Sequence, residues 1–152
     1  MKEIILLGLG LLVSGCAATY VPPTETAVIL TQKVDANKSD LLKAIAVTLA
    51  MEGIKVANEN KESGIVVTEE KIMRITPEMA NCGTTMGIDY LKDNRTNTKV
   101  SYHIIVGDQS LKIKANPTAE YRVGAVDQDM NLTCVSKGVL EQKLYTSILQ
   151  NL

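Results

Sequence analysis

Residues 99–115, Lys-Val-Ser-Tyr-His-Ile-Ile-Val-Gly-Asp-Gln-Ser-Leu-Lys-Ile-Lys-Ala, carry the pattern that decides the fold. Val100, Tyr102, Ile104 and Val106 alternate with Ser101, His103 and Ile105. A period of two is the mark of a strand with one buried face. Gly107-Asp108 interrupts the alternation as a tight turn, and Leu111, Ile113 and Ala115 resume it against Lys112 and Lys114. Two alternating runs joined by a short turn predict an antiparallel hairpin.

Working outward, Glu120 to Val126 reads as a further strand. From Val139 to Leu152 the period lengthens to that of a helix. Leu140, Leu144 and Ile148 share a face there, flanked by Tyr145 and Leu149, while Glu141 falls outside the stripe. Upstream, Ala27 to Val34 reads as a strand. Ser39-Asp40 reads as a helix start, with Ser39 as cap and Asp40 complementing the helix dipole. Leu42, Ile45, Ala46 and Leu49 form the expected inner face of that helix, and Gly53 ends it. Ile54 to Asn58 is a strand with Ile54 and Val56 on one side, Asn58 to Gly64 a turn, and Ile65 to Ile75 a long strand. Thr76 to Thr98 shows no period and reads as an irregular loop; long loops in compact domains are often functional or tied down.

The predicted order is β-α-β-β-β-β-α, an α+β domain over residues 26–152. Its sheet is mostly antiparallel, of four to six strands, with both helices packed on one face. Composition agrees with a folded chain: 45% hydrophobic and 22% charged residues among 152. Five Tyr and no Phe or Trp make the core aliphatic. The net charge of −1 gives no electrostatic case for a nucleic-acid partner, which needs a concentrated basic surface.

The first fifteen residues are of another kind. Lys2 and the amino terminus are cationic, Ile4 to Val13 is apolar, and Val13-Ser14-Gly15-Cys16 closes the run. The apolar stretch has the length of a signal h-region, well short of the ~20 residues of a spanning helix. Val13-Ser14-Gly15-Cys16 resembles the lipobox of bacterial lipoproteins. That resemblance implies lipid transfer to the Cys16 thiol, cleavage between Gly15 and Cys16, and acylation of the new amino group. Ala17 after the cysteine implies, by the same resemblance, sorting to the outer membrane with the domain facing the periplasm; the outer face of the plasma membrane is the alternative. Residues 16–25, with Pro22-Pro23, read as a short extended tether. The βαββ opening is similar in topology to small envelope lipoprotein domains such as those of the outer-membrane assembly machinery.

With Cys16 committed to lipid, Cys82 and Cys134 remain as an even pair in an oxidising compartment, which predicts a disulfide. The pair has no CxxC spacing and no flanking base, so it reads as a staple rather than a redox centre.

The remaining motifs carry little chemistry. His103, the one histidine, sits on the outer alternation of a strand and no nucleophile elbow accompanies it. Asp127-Gln128-Asp129 lacks the rest of a calcium loop, and Gly83-Thr84-Thr85-Met86-Gly87 lacks the lysine of a phosphate loop. No zinc ligand set and no cofactor signature is present. Asp89, Tyr90, Asp93 and Arg95 are the expected polar recognition surface of the 76–98 loop. The sequence therefore predicts a lipid-anchored, non-enzymatic adaptor that binds another envelope protein, held to the membrane through acyl chains on Cys16. A small-ligand carrier using an apolar concavity near Ile72, Met73 and Ile105 is the alternative, and a wall or glycan hydrolase the third reading.

Overall fold

The computed structural model describes residues 19–124 and 129–152. Cys16 with its signal segment, Asp127 and Gln128 lie outside the described residues. The chain begins with a two-residue strand β1 (Tyr20–Val21), then β2 (Leu30–Lys33), helix α1 (Lys38–Met51), β3 (Val56–Asn60), β4 (Ile65–Thr68) and β5 (Lys71–Ile72). Three short strands follow, β6 (Ala80–Asn81), β7 (Thr84–Thr85) and β8 (Ile88–Asp89), and then a single 3-10 turn at Tyr90–Lys92. The long hairpin β9 (Thr96–Gly107) and β10 (Ser110–Tyr121) is succeeded by β11 (Met130–Thr133), β12 (Val135–Ser136) and helix α2 (Val139–Gln150).

The predicted hairpin is the spine of the molecule. β9 and β10 pair over twelve residues each, from Gly107↔Ser110 to Thr96↔Tyr121. Both strands run well past the predicted ends, and Glu120 belongs to β10 rather than to a separate strand. The turn residues are Asp108 and Gln109, with Gln109 at φ 54°. β4 and β5 pair with β9, β2 and β11 with β10, and β3 forms an edge beside β4, all antiparallel. The result is a seven-stranded sheet, larger than the four to six strands expected, with two small sheets beside it. The predicted strand 65–75 is two strands separated by Glu69-Glu70.

Both helices pack on one face of this sheet. Val100, Tyr102, Ile104 and Val106 from β9 and Leu111, Ile113 and Ala115 from β10 point into the core. Leu140, Leu144 and Ile148 of α2 meet them as the helical period predicts. The stripe of α1 differs from expectation. Leu41, Ala44, Ile45, Thr48 and Leu49 are buried, while Ala46 is exposed and Leu42 only half-buried. Nearly every turn of this helix is apolar, so the period alone does not choose the face. Thr48 enters the core because its hydroxyl donates to the Ala44 carbonyl at 2.8 Å. The cap is Asn37, one residue before the helix, rather than Ser39: Asn37 Oδ1 accepts from the Asp40 amide at 3.0 Å and its Nδ2 donates to Asp40 Oδ2 at 2.7 Å. Val56 is exposed on the edge strand, away from buried Ile54.

Glu141 is the largest departure. It is fully buried, in the first turn of α2. Its Oε1 accepts from the Ala115 amide at 3.0 Å and its Oε2 from the Ser136 hydroxyl at 2.6 Å. The reason lies in β10. Beyond β9, its outer edge is covered by β2 at residues 110–113 and by β11 at 118–121, leaving a gap between. In that gap Ala115 offers an amide that needs a partner, and Pro117 has no amide to offer. The helix carboxylate fills the place of the missing strand.

Candidate functional site

Asp89, Tyr90, Asp93 and Arg95, the predicted recognition residues, do come together, at one end of the β9–β10 hairpin. The segment that holds them is ordered rather than irregular, which corrects the reading of 76–98. β6 pairs with β12, while β7 pairs with both β1 and β8. The Cys82–Cys134 disulfide links the same two regions, as predicted. Met86 and Gly87, at φ 52° and 77°, form the two-residue turn of the β7–β8 hairpin, the geometry that matches strand twist.

Three of the five tyrosines form a row beneath this hairpin. The Tyr20 and Tyr90 rings meet edge-on with centroids 5.9 Å apart, and Tyr90 and Tyr121 at 4.9 Å. Tyr20 is held from several directions. Its hydroxyl donates to the carbonyl of Cys82 at 3.1 Å and accepts at 3.2 Å from the amide of Thr133, the residue before Cys134. Burial pushes its phenol pKa up. Gly83 lies directly under it: at φ 78°, a Cβ there would stand 2.5 Å from the Tyr20 ring and 2.5 Å from the Val21 carbonyl. Thus Tyr20–Val21, within the stretch expected to be a tether, is a strand clamped to the domain.

The polar members of the cluster are occupied with one another. Asp89 Oδ1 accepts from the Leu91 amide and caps the 3-10 turn at 2.9 Å. Tyr90 is buried, its hydroxyl 2.5 Å from Thr85 Oγ1. Asp93 receives a two-point grip from Arg95, Nε to Oδ1 at 3.0 Å and Nη2 to Oδ2 at 2.6 Å, together with the Arg95 amide and the Tyr121 hydroxyl. The Arg95 contacts, foremost its side-chain hydrogen bonds, hold the Asp93 carboxyl well below the ordinary carboxylate range. The Arg95 guanidinium also lies over the Tyr121 ring, 5.2 Å from its centroid. Arg74 closes the cage from β5's side, donating to the Leu91 carbonyl at 2.8 Å and the Thr96 carbonyl at 3.3 Å. Sequence reading missed Arg74, Tyr20 and Tyr121, because their partners lie far off in the chain and no local motif marks them.

Beside the half-exposed Arg95 side chain, the cluster presents an apolar tip to solvent. Met86 is 82% exposed and Ile88 71%, on the rim of a cleft of about 210 Å³ lined also by Thr85, Asp89, Tyr90, Asp93 and Tyr121. The predicted recognition residues thus build a rigid platform, and the hairpin tip is what it displays.

The second surface is the open face of the main sheet. Ile65, Ile105, Lys112 and Thr31 face one another across four strands, with Val67, His103 and Lys114 in the adjoining row. A shallow groove of about 450 Å³ there is lined by Ile29, Thr31, His103, Ile105, Lys112 and Lys114. Ile105 stands in it as predicted, but Ile72 and Met73 do not: Ile72 is exposed elsewhere and Met73 packs on the core. Among the described residues, no group of three His, Cys, Asp or Glu is placed to hold a metal. Asp129 is engaged by Arg122 at 2.9 Å.

No family model and no curated protein matches the chain. Among solved structures, it is similar to a TBP-like protein from Parabacteroides distasonis ATCC 8503, with 12% identity over 82% of this chain and 90% of that one, and a TM-score of 0.48. A likeness at that level carries no argument about function.

Proposed function

We propose that this chain is a lipid-anchored envelope lipoprotein whose domain is a non-enzymatic accessory module, binding another envelope protein at the membrane surface. Acyl chains on Cys16 hold it, on the periplasmic side of the outer membrane. The observation that carries this reading is the clamp on Tyr20. Tyr20 follows Cys16 by four residues, a span that reaches at most about 14 Å. A lipid on Cys16 therefore ties a rigid body, not a body on a loose string, to the bilayer. A fixed pose suits a module that must meet a neighbour beside the membrane. The open sheet face, with Ile29, Ile65 and Ile105 among His103, Lys112 and Lys114, is the surface we assign to that neighbour. Apolar residues interleaved with the lysine cations fit a partner with apolar and acidic side chains.

Two measurements test it. Mass spectrometry of the mature protein should find Cys16 as the acylated first residue, and Cys16→Ser should release the protein from the membrane fraction. A mature protein beginning elsewhere, or a Cys16→Ser protein that stays membrane-bound, overturns the anchor. A photo-crosslinking residue at position 105 should capture one reproducible envelope protein in intact cells, while the same residue at Val47 on α1 should not. No reproducible product at position 105 overturns the adaptor role.

A further inference from the structure

We infer that the tip of the β7–β8 hairpin, Met86 and Ile88, is a membrane-contact element that enters the headgroup–acyl boundary beside the anchor. The inference rests on the lipidation of Cys16 proposed above and adds to it an orientation.

The register of the three-stranded sheet β1-β7-β8 points to the contact. β1 runs antiparallel to β7 with Tyr20 opposite Thr85 and Val21 opposite Thr84. The start of β1, with Thr19 before it, therefore lies toward the Met86-Gly87 end of β7. The described chain thus begins beside the hairpin tip. Cys16 is at most about 14 Å of chain from Tyr20, so a bilayer that holds its acyl chains lies within reach of that tip. The tip carries two of the most exposed large apolar side chains of the described residues, Met86 at 82% and Ile88 at 71%.

The tip is also stiff enough to act. The Met86-Gly87 turn is closed on both sides by strand pairing. Tyr90 holds Thr85 through its hydroxyl, the disulfide holds Cys82, and Gly83 lets Tyr20 lie flush against the hairpin. Acyl chains supply the affinity, since two or three make anchoring stable. The tip supplies a second point of attachment, and two points fix the tilt of a rigid body where one point leaves it free to rock. The open sheet face would then meet its partner at a set angle.

The chain contains no Trp, so one introduced Trp is the sole such emitter. Full-length acylated protein carrying Ile88→Trp, and separately Met86→Trp, is reconstituted in phosphatidylethanolamine/phosphatidylglycerol vesicles with or without brominated acyl chains. Val47→Trp, on the exposed side of α1, is the comparison. Each sample is also floated on a density gradient, and circular dichroism confirms folding. With flotation established, the tip Trp should be quenched at least about twofold more than Trp at position 47, as expected for side chains at the acyl boundary. Flotation with equal quenching at all three positions overturns the tip contact and leaves the anchor standing. Failure to float overturns the anchor, and the tip contact with it.

Discussion

Replacing Glu141 by Ala should destabilise the domain by about 3 kcal/mol, because one carboxylate does the work of a missing strand segment. The side chain is fully buried and both oxygens are engaged, one by the Ala115 amide at 3.0 Å and one by the Ser136 hydroxyl at 2.6 Å. Alanine leaves that amide without a partner at a place no strand of the described residues covers, which costs about 1–3 kcal/mol. Stranding the Ser136 hydroxyl adds a fraction of the same, and the lost Cγ methylene adds roughly 0.8 kcal/mol of burial. Relief from burying a carboxylate offsets part of the sum. Glu141→Gln is the informative comparison. It keeps an acceptor for Ala115 and a group for Ser136, and should lose no more than about 1 kcal/mol. Urea unfolding followed by circular dichroism, with the disulfide intact, gives both differences. For a domain of this size the Ala variant should melt about 10 °C lower. Hydrogen exchange supplies the local reading: the Ala115 amide should lose protection in the Ala variant and keep it in the Gln variant. Equal stabilities for Ala and Gln, or an Ala115 amide still protected in Glu141→Ala, would refute the account of the gap.

Removing the Cys82–Cys134 bridge, which spans 52 residues, should cost about 4 kcal/mol of stability by loop entropy, read as a lower urea midpoint for Cys82→Ala/Cys134→Ala; an unchanged midpoint would show that the bridge constrains nothing. Gly83→Ala should unseat β1, since its methyl would collide with the Tyr20 ring and the Val21 carbonyl, so limited proteolysis should cut near residues 20–25 while the core resists; a variant as resistant as the parent would place the clamp elsewhere. The Asp93 carboxyl, depressed chiefly by the Arg95 hydrogen bonds, contributes stability that is fully present above the ordinary carboxylate pKa of about 4 and fades as pH falls below it toward the folded value. Carbon NMR should find it still ionised at a pH where exposed carboxylates have protonated, and Arg95→Gln should return it to the ordinary range; an ordinary titration in the parent protein would dismiss the grip.

The parts of the fold that were legible in the sequence are those whose partners are near in the chain or whose period is long. The β9–β10 hairpin shows alternation over many residues, and α2 shows a clean stripe at Leu140, Leu144 and Ile148. The disulfide followed from counting. What escaped is non-local or against type. Strands of two residues, such as β1, β6, β7 and β12, are too short to show any period, and their pairings join residues 20 with 85 and 81 with 135. The inner face of α1 was misplaced by one residue because Leu41 and Leu42 are equally apolar and only packing separates them. Buried Glu141 reads as surface in any sequence, since charged side chains seldom lie inside without partners that only the fold reveals. The site was legible in membership but not in role: Asp89, Tyr90, Asp93 and Arg95 do gather, yet they support the hairpin instead of reaching outward.

The Tyr20 clamp also has a schedule. Its hydrogen-bond partner Thr133 lies 113 residues later in the chain, and the cysteine that closes the bridge follows it. At synthesis rates of roughly 5–20 residues per second, about 6–23 s separate the emergence of Tyr20 from that of the residue it must find. On the lipoprotein reading, the enzymes that acylate Cys16 and cut before it meet a segment that has nothing yet to dock on. The domain closes over its own amino end only after that interval. Such an order would let modification finish before folding locks Tyr20, four residues on, into its clamp.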